Sequence, residues 1–245
     1  MGAGSILATG AAALLFAVTF LAGGRFHPLQ PLLRGKRTAL SFGAGMAAAY
    51  VFVHLMPELH AARAAFAESV DIELRFEGMA IYYLALVGFL AFYGLDVIRG
   101  ALHASEDPAH ETLAFRLHVG GFAAYVMLMA YLLVHNLESS RISTFLYALP
   151  IMLHFLSVDH SLQEYHGAIY ERVGRPMLAA ASIAGWGIGL LIALPAYVLA
   201  LLVAFISGAI IMNNTVMEMP SERDGRFVPF MVGGLVYGLI LLPLG

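Results

Sequence analysis

The chain has 245 residues, of which 60% are hydrophobic and only 12% are charged. Soluble domains are typically about half apolar and about a quarter charged, so this composition excludes an ordinary soluble domain and favours a membrane protein. The net charge of −3 gives no indication of a nucleic-acid partner, and a chain without cysteine has no disulfides, thiolate metal sites or iron–sulfur clusters.

Eight stretches are apolar enough, over about 20 residues, to cross a bilayer as helices. They are 4–24, 38–58, 78–98, 113–137, 143–166, 176–195, 196–217 and 227–244. The chain is therefore predicted to be all-α, with one transmembrane domain over residues 1–245 built as a bundle of eight helices. No basic residue precedes the first stretch, which predicts a retained helix instead of a secretory signal peptide.

The orientation in the membrane follows from Lys and Arg, which are enriched in cytoplasmic loops. Of the 13 basic residues, ten fall in the odd-numbered connections between predicted helices and three in the even-numbered ones. Both termini are therefore expected to be non-cytoplasmic. The small size and short loops favour a bacterial inner (plasma) membrane.

The second predicted helix ends with His54 and Glu58, four residues apart, with Pro57 between them. Residues at this spacing share a helix face, and the proline frees the backbone carbonyl of Val53. Such a group could place metal ligands at a pore mouth, and it equally describes an ordinary helix end. Both interpretations stay open.

A short histidine and acidic tract, from His103 to Glu111, connects the third and fourth predicted helices, with His118 shortly after it. Tracts of this kind can bind metals weakly. A solvated loop is the favoured interpretation, because loops are usually polar.

The end of the fourth predicted helix offers an imidazole nitrogen from His135, an amide oxygen from Asn136 and a carboxylate from Glu138. Taken alone, this group is equally well explained by a helix cap or an interfacial pair. Because the neighbouring fifth helix is also polar, a metal site becomes the favoured interpretation.

The fifth predicted helix carries six polar side chains, a density that a lipid-facing helix does not tolerate. They are His154, Asp159, His160, Gln163, Glu164 and His166. His160 and Glu164 share a face and form a pair of potential metal ligands. The alternative is a segment that lies at the membrane surface or ends early. The metal site is favoured, because ionisable groups within a membrane are functional by default.

Three residues recur at the same spacing in the second and seventh predicted helices. They are Phe42, Gly45 and Pro57 in one helix and Phe205, Gly208 and Pro220 in the other. The two helices lie five apart in order, so they run in opposite directions across the membrane. This pattern predicts an inverted repeat of helices 1–3 and 6–8, an arrangement that places substrate sites near mid-membrane.

These residues resemble the ZIP family of zinc and iron transporters. His135 and Asn136 match the start of the fourth-helix motif of that family, and residues 160–164 are similar to its fifth-helix motif. Residues 41–58 and 205–220 look like its second and seventh helices. The resemblance implies eight helices, outer termini and a transport site between the fourth and fifth helices.

Two departures from the family pattern indicate a divergent member. Ser139 stands where the fourth-helix motif has an acidic residue, and Gln163 stands where the fifth helix usually has proline.

The predicted function is transmembrane transport of a divalent metal ion, Zn²⁺ or another divalent transition metal, with no enzymatic activity. The expected ligands are His54 and Glu58 on the entry path and, at mid-membrane, His135, Asn136, Glu138, His154, Asp159, His160 and Glu164. An intramembrane zinc hydrolase and a non-transporting metal-binding membrane protein are the alternatives. The expected partners are the metal ion and the lipid bilayer, and a homodimer is left open.

Overall fold

A computed structural model of the chain describes residues 3–23, 36–69, 77–104, 107–136, 141–217 and 226–242. Within these ranges the backbone is helical apart from short turns, and it contains no strand. The α-helices are α1 (Ala3–Ala22), α2 (Lys36–Ala49), α3 (Met56–Ser69), α4 (Glu77–His103), α5 (Pro108–Asn136), α6 (Arg141–Ile169), α7 (Arg175–Leu191), α8 (Ala196–Met212) and α9 (Phe227–Leu241). The π-helical turns are π1 (Tyr50–Leu55), π2 (Tyr170–Gly174) and π3 (Asn213–Met217). The all-α prediction is thus confirmed for the described residues.

Five stretches of the described residues are long and apolar enough to cross a membrane, which identifies an integral membrane protein by length and composition. They are Gly4–Ala22, Ser41–Glu68, Met79–His103, Ala109–His135 and Ala196–Thr215. Large apolar side chains face outward, among them Leu7, Tyr83 and Leu239, of which at least 68% is exposed. Soluble monomers rarely expose large apolar patches, whereas lipid accommodates them. The count of eight spanning helices and the inverted repeat go beyond this finding and stay predictions.

The start of α5 corrects the predicted loop around His110. Asp107 caps the helix, because its Oδ1 accepts a hydrogen bond from the Ala109 amide at 2.8 Å. Pro108 takes the first helical position, where a missing N–H costs nothing. His110 is therefore helical, and His118 lies about three turns inside α5.

The helix pair α2 and α9 is joined through glycines. Gly45 lies against the carbonyl of Phe230, and Gly233 lies against the carbonyl of Phe42. A Cβ at either glycine would overlap the facing oxygen. Small residues at such crossings let backbones approach closely, which stabilises helix pairs in lipid through van der Waals contact.

The pair α4 and α8 is built in the same way. Gly208 lies against the carbonyl of Ala85, and Gly88 lies against the carbonyl of Phe205. The π-helical turns have the same place in the two crossings, since π3 begins five residues after Gly208 and π1 five residues after Gly45.

An aromatic core connects α1, α5 and α6. Phe16 and Phe20 of α1 contact Phe155 of α6 with ring centroids 5.1 and 5.2 Å apart, and Tyr125 of α5 lies 6.3 Å from Phe155. Because these rings are fully or almost fully buried, they fix how α5 and α6 face each other.

Candidate functional site

Two hydrogen-bonded contacts define the relative position of α5 and α6. The Tyr125 hydroxyl lies 2.8 Å from His154 Nε2, and His118 Nδ1 lies 3.0 Å from His166 Nε2. Residue numbers fall on α5 while they rise on α6, so the two helices are antiparallel.

This register separates the residues that the sequence assigned to one metal site. His135 lies ten residues beyond Tyr125 on α5, and His160 lies six residues beyond His154 in the opposite direction. At about 1.5 Å per residue, His135 and His160 are about 24 Å apart along the helix axes. The structure therefore does not bring them together.

Two further predicted ligands, His135 on α5 and His154 on α6, have aromatic neighbours. The His135 ring packs on the Tyr131 ring, with centroids 4.7 Å apart. The Asn136 side chain and all of Glu138 lie outside the described residues. His154 is buried with 6% exposure and lies beside Tyr125 in the aromatic core, which places it closest to the middle of the two helices.

Asp159 has other partners for both of its carboxylate oxygens. Arg175 donates from Nε to Oδ1 at 3.0 Å and from Nη2 to Oδ2 at 3.1 Å, and the Tyr170 hydroxyl donates to Oδ1 at 2.9 Å. Asp159 and Arg175 are 2% and 7% exposed. This ion pair ties α6 to α7.

His160 and Glu164 share a face of α6, but they differ in their surroundings. His160 is half-buried, whereas Glu164 is exposed. In the part of the chain that the structure describes, no three His, Asp or Glu side chains lie close enough together to hold a metal ion. The predicted multi-ligand site is thus not assembled by the described residues.

His54 and Glu58 do lie side by side, with His54 Nε2 3.9 Å from Glu58 Oε2. Glu58 also lines a narrow cavity with Tyr50 of π1, Ser207 of α8 and Met129 of α5. The cavity has room for about one water molecule. Most of the cavity lining is apolar, and Glu58 is its only charged residue. A carboxylate in such surroundings, with an imidazole beside it on the same helix, is suited to contact a cation.

A pair of imidazoles in contact, His118 and His166, was not among the ligands predicted from the sequence. His118 is 1% exposed, and its Nε2 has no hydrogen-bond partner among the described residues. Its Nδ1 faces His166 Nε2 across the interface between α5 and α6.

Charged and aromatic groups surround this histidine pair. The Arg99 guanidinium lies 3.8 Å above the Tyr165 ring, and Asp96 accepts a hydrogen bond from Arg99 Nη2 at 2.7 Å. Asp96 is thus the counter-ion of Arg99, whose positive charge acts on both imidazoles. The short connection between α5 and α6 is the sequence signal that could have indicated the pair, since it places the start of one helix opposite the end of the other.

Comparison with protein-family models, curated protein sequences and solved structures finds no match to this chain. The similarity to the ZIP family therefore rests on the sequence motifs alone. The function has to be argued from the geometry of the described side chains.

Proposed function

We propose that this membrane protein is a carrier for divalent transition-metal ions, with Zn²⁺ or a similar ion as substrate, and a divergent relative of the ZIP family. The observation that carries the proposal is the 3.0 Å separation of His118 Nδ1 and His166 Nε2 on two facing helices. Imidazole nitrogen is a preferred ligand of zinc and its neighbours.

The spacing of the two nitrogens fits a metal ion with a small adjustment. With Zn–N bonds of about 2.0–2.1 Å and tetrahedral angles, two ligand nitrogens lie roughly 3.3 Å apart. The pair supplies two ligands, and water or a further side chain completes the shell. An incomplete protein shell suits a carrier, because the ion has to leave again.

The proposed ion path has groups in both halves of the membrane. Glu58 lies toward the connection between α3 and α4, with His54 near the middle of the span Ser41–Glu68, whereas His118 and His166 lie nearer the connection between α4 and α5. The positive-inside rule puts the first pair toward the outside and the second toward the cytoplasm. Both termini are then non-cytoplasmic, and the metal moves from His54 and Glu58 toward the histidine pair.

The packing supports the eight-helix inverted repeat that this mechanism uses. Because α2, π1 and α3 follow each other without a break, they together form one of the eight proposed spans. The glycine contacts that join α2 to α9 correspond to those that join α8 to α4. In each crossing a π-helical turn begins five residues after a contact glycine, Gly45 or Gly208. Carriers built from such repeats move one set of helices against the other around a fixed site.

Uptake of radioactive Zn²⁺ into proteoliposomes tests the proposal. Wild-type protein should transport the ion, and a His118→Ala/His166→Ala variant should lose roughly tenfold or more of the rate, because removing even secondary partners of a metal ligand costs that much. His110→Ala, which changes an exposed histidine of α5, is the matched control and should keep the rate.

Absence of flux for Zn²⁺, Fe²⁺, Mn²⁺ and Cd²⁺ with the wild-type protein would reject transport. Unchanged flux in the double variant would remove the histidine pair from the path.

A further inference from the structure

Two buried asparagines stand at the start of π3. Asn213 is 0% exposed and Asn214 is 8% exposed. Within the described residues, Oδ1 and Nδ2 of Asn213 and Oδ1 of Asn214 have no hydrogen-bond partner. Both residues belong to the apolar stretch Ala196–Thr215, where an unpaired amide is costly. The two side-chain oxygens point to a cation as their ligand, whereas the Nδ2 donor of Asn213 takes no part in binding it.

The backbone at the same place is irregular. The backbone N–H of Asn213 is shared between the carbonyls of Ala209 and Ile210, and the Thr215 hydroxyl donates to the Ile211 carbonyl at 2.6 Å. π-helical insertions of this kind occur frequently at functional sites. In membrane carriers, backbone and amide oxygens at interrupted helices coordinate monovalent cations.

The corresponding turn in the other half of the protein shows that the amides are not needed for the π-helical geometry. π1 begins with Tyr50 and Val51 at the same distance from Gly45 as Asn213 and Asn214 from Gly208. Because π1 forms without amides, the two asparagines serve another purpose at π3.

The neighbours of π3 identify the class of ligand. π3 packs against α8 and α2. From Thr38 to the end of α2 and throughout α8, the sequence has no charged residue. Among the described residues of π3, α2 and α8, the oxygen ligands are amide, hydroxyl and carbonyl groups, which are hard and neutral. Such a shell favours a singly charged hard cation, because the desolvation cost of an ion rises steeply with its charge.

We infer that Asn213 and Asn214 bind an alkali-metal cation, Na⁺ in first place, at π3. The site is separate from the histidine pair, and it does not depend on the transport of transition metals. The alkali-metal cation is the second ion that we assign to the protein, and its site directly follows the C-terminal end of α8.

Thermal unfolding of the purified full-length protein in detergent tests the site. NaCl replaces choline chloride at constant ionic strength, with EDTA present and with KCl and LiCl as parallel arms. Saturating Na⁺ should raise the Tm of the wild-type protein by roughly 5–10 °C. Because no transition metal is present, this readout is independent of the proposed Zn²⁺ transport.

Four variants complete the test. Asn213→Leu and Asn214→Leu fill the same space without oxygen ligands and should abolish the Na⁺ response while they keep the fold. Asn213→Asp keeps an oxygen ligand and should retain the response. Ser182→Ala is the matched control, since its buried hydroxyl already donates to the Leu178 carbonyl at 3.1 Å, and it should respond like the wild type.

Equal Tm values of the wild type in NaCl and choline chloride would overturn the inference. So would a full Na⁺ response in both leucine variants. A larger response to K⁺ or Li⁺ than to Na⁺ would keep the alkali-cation site and overturn the choice of Na⁺.

Discussion

At the scale of single residues, the ion pair between Asp159 and Arg175 illustrates how charged side chains are accommodated in the interior of the helix bundle. The carboxylate accepts hydrogen bonds from the guanidinium and from the Tyr170 hydroxyl, so both of its oxygens are satisfied. A charge buried in low dielectric persists only when it is paired in this way. The pair therefore has a structural role in joining α6 to α7.

We predict that Arg175→Ala destabilises the protein by about 3–5 kcal/mol, because it leaves the Asp159 carboxylate buried without its counter-ion. Glu171→Ala removes the other carboxylate bound to Arg175, at 3.1 Å, but this one is 56% exposed. That control should cost about 0–1 kcal/mol. Unfolding in detergent measures the loss of unfolding free energy in both variants. Equal losses would contradict the assigned role of Asp159.

At the scale of helices, the sequence predicted what depends on spacing within one helix. His54 and Glu58 share a face and lie within 3.9 Å, as their separation of four residues requires. The register between α5 and α6 could not be predicted, because it depends on how Tyr125, His154 and Phe155 pack together. The structure does not bring His135 and His160 together, and the neighbouring His118 and His166 were missed.

The two glycine crossings make a prediction at the same scale. Gly45→Ala should destabilise the protein by about 1–3 kcal/mol, since the added methyl group has to displace the backbone of α9. Gly43→Ala, on the same helix, has no heavy atom within 4 Å of its Cβ position. This control should be neutral or slightly stabilising, because alanine favours the helix over glycine. The Tm values of the two variants in detergent test this prediction. A lower Tm for both variants would contradict the close contact between α2 and α9.

At the scale of the whole molecule, the absence of cysteine from the sequence makes the orientation in the membrane directly measurable. Glu68 near the end of α3 and His110 near the start of α5 are both exposed. We predict that an impermeant thiol reagent added outside intact cells labels a Glu68→Cys variant and leaves a His110→Cys variant unlabelled until the membrane is opened. Labelling of both variants from outside would contradict one span between them, and the reversed pattern would contradict non-cytoplasmic termini.

The central claim is that a divalent metal ion binds between α5 and α6 at His118 and His166. X-ray absorption at the zinc edge, measured on purified protein loaded with one equivalent of Zn²⁺, tests it most directly. We predict imidazole scattering from two histidines with Zn–N distances of about 2.0–2.1 Å, lost in the His118→Ala/His166→Ala variant and kept in His110→Ala. A spectrum without histidine ligands, or one that the double substitution leaves unchanged, would contradict the claim.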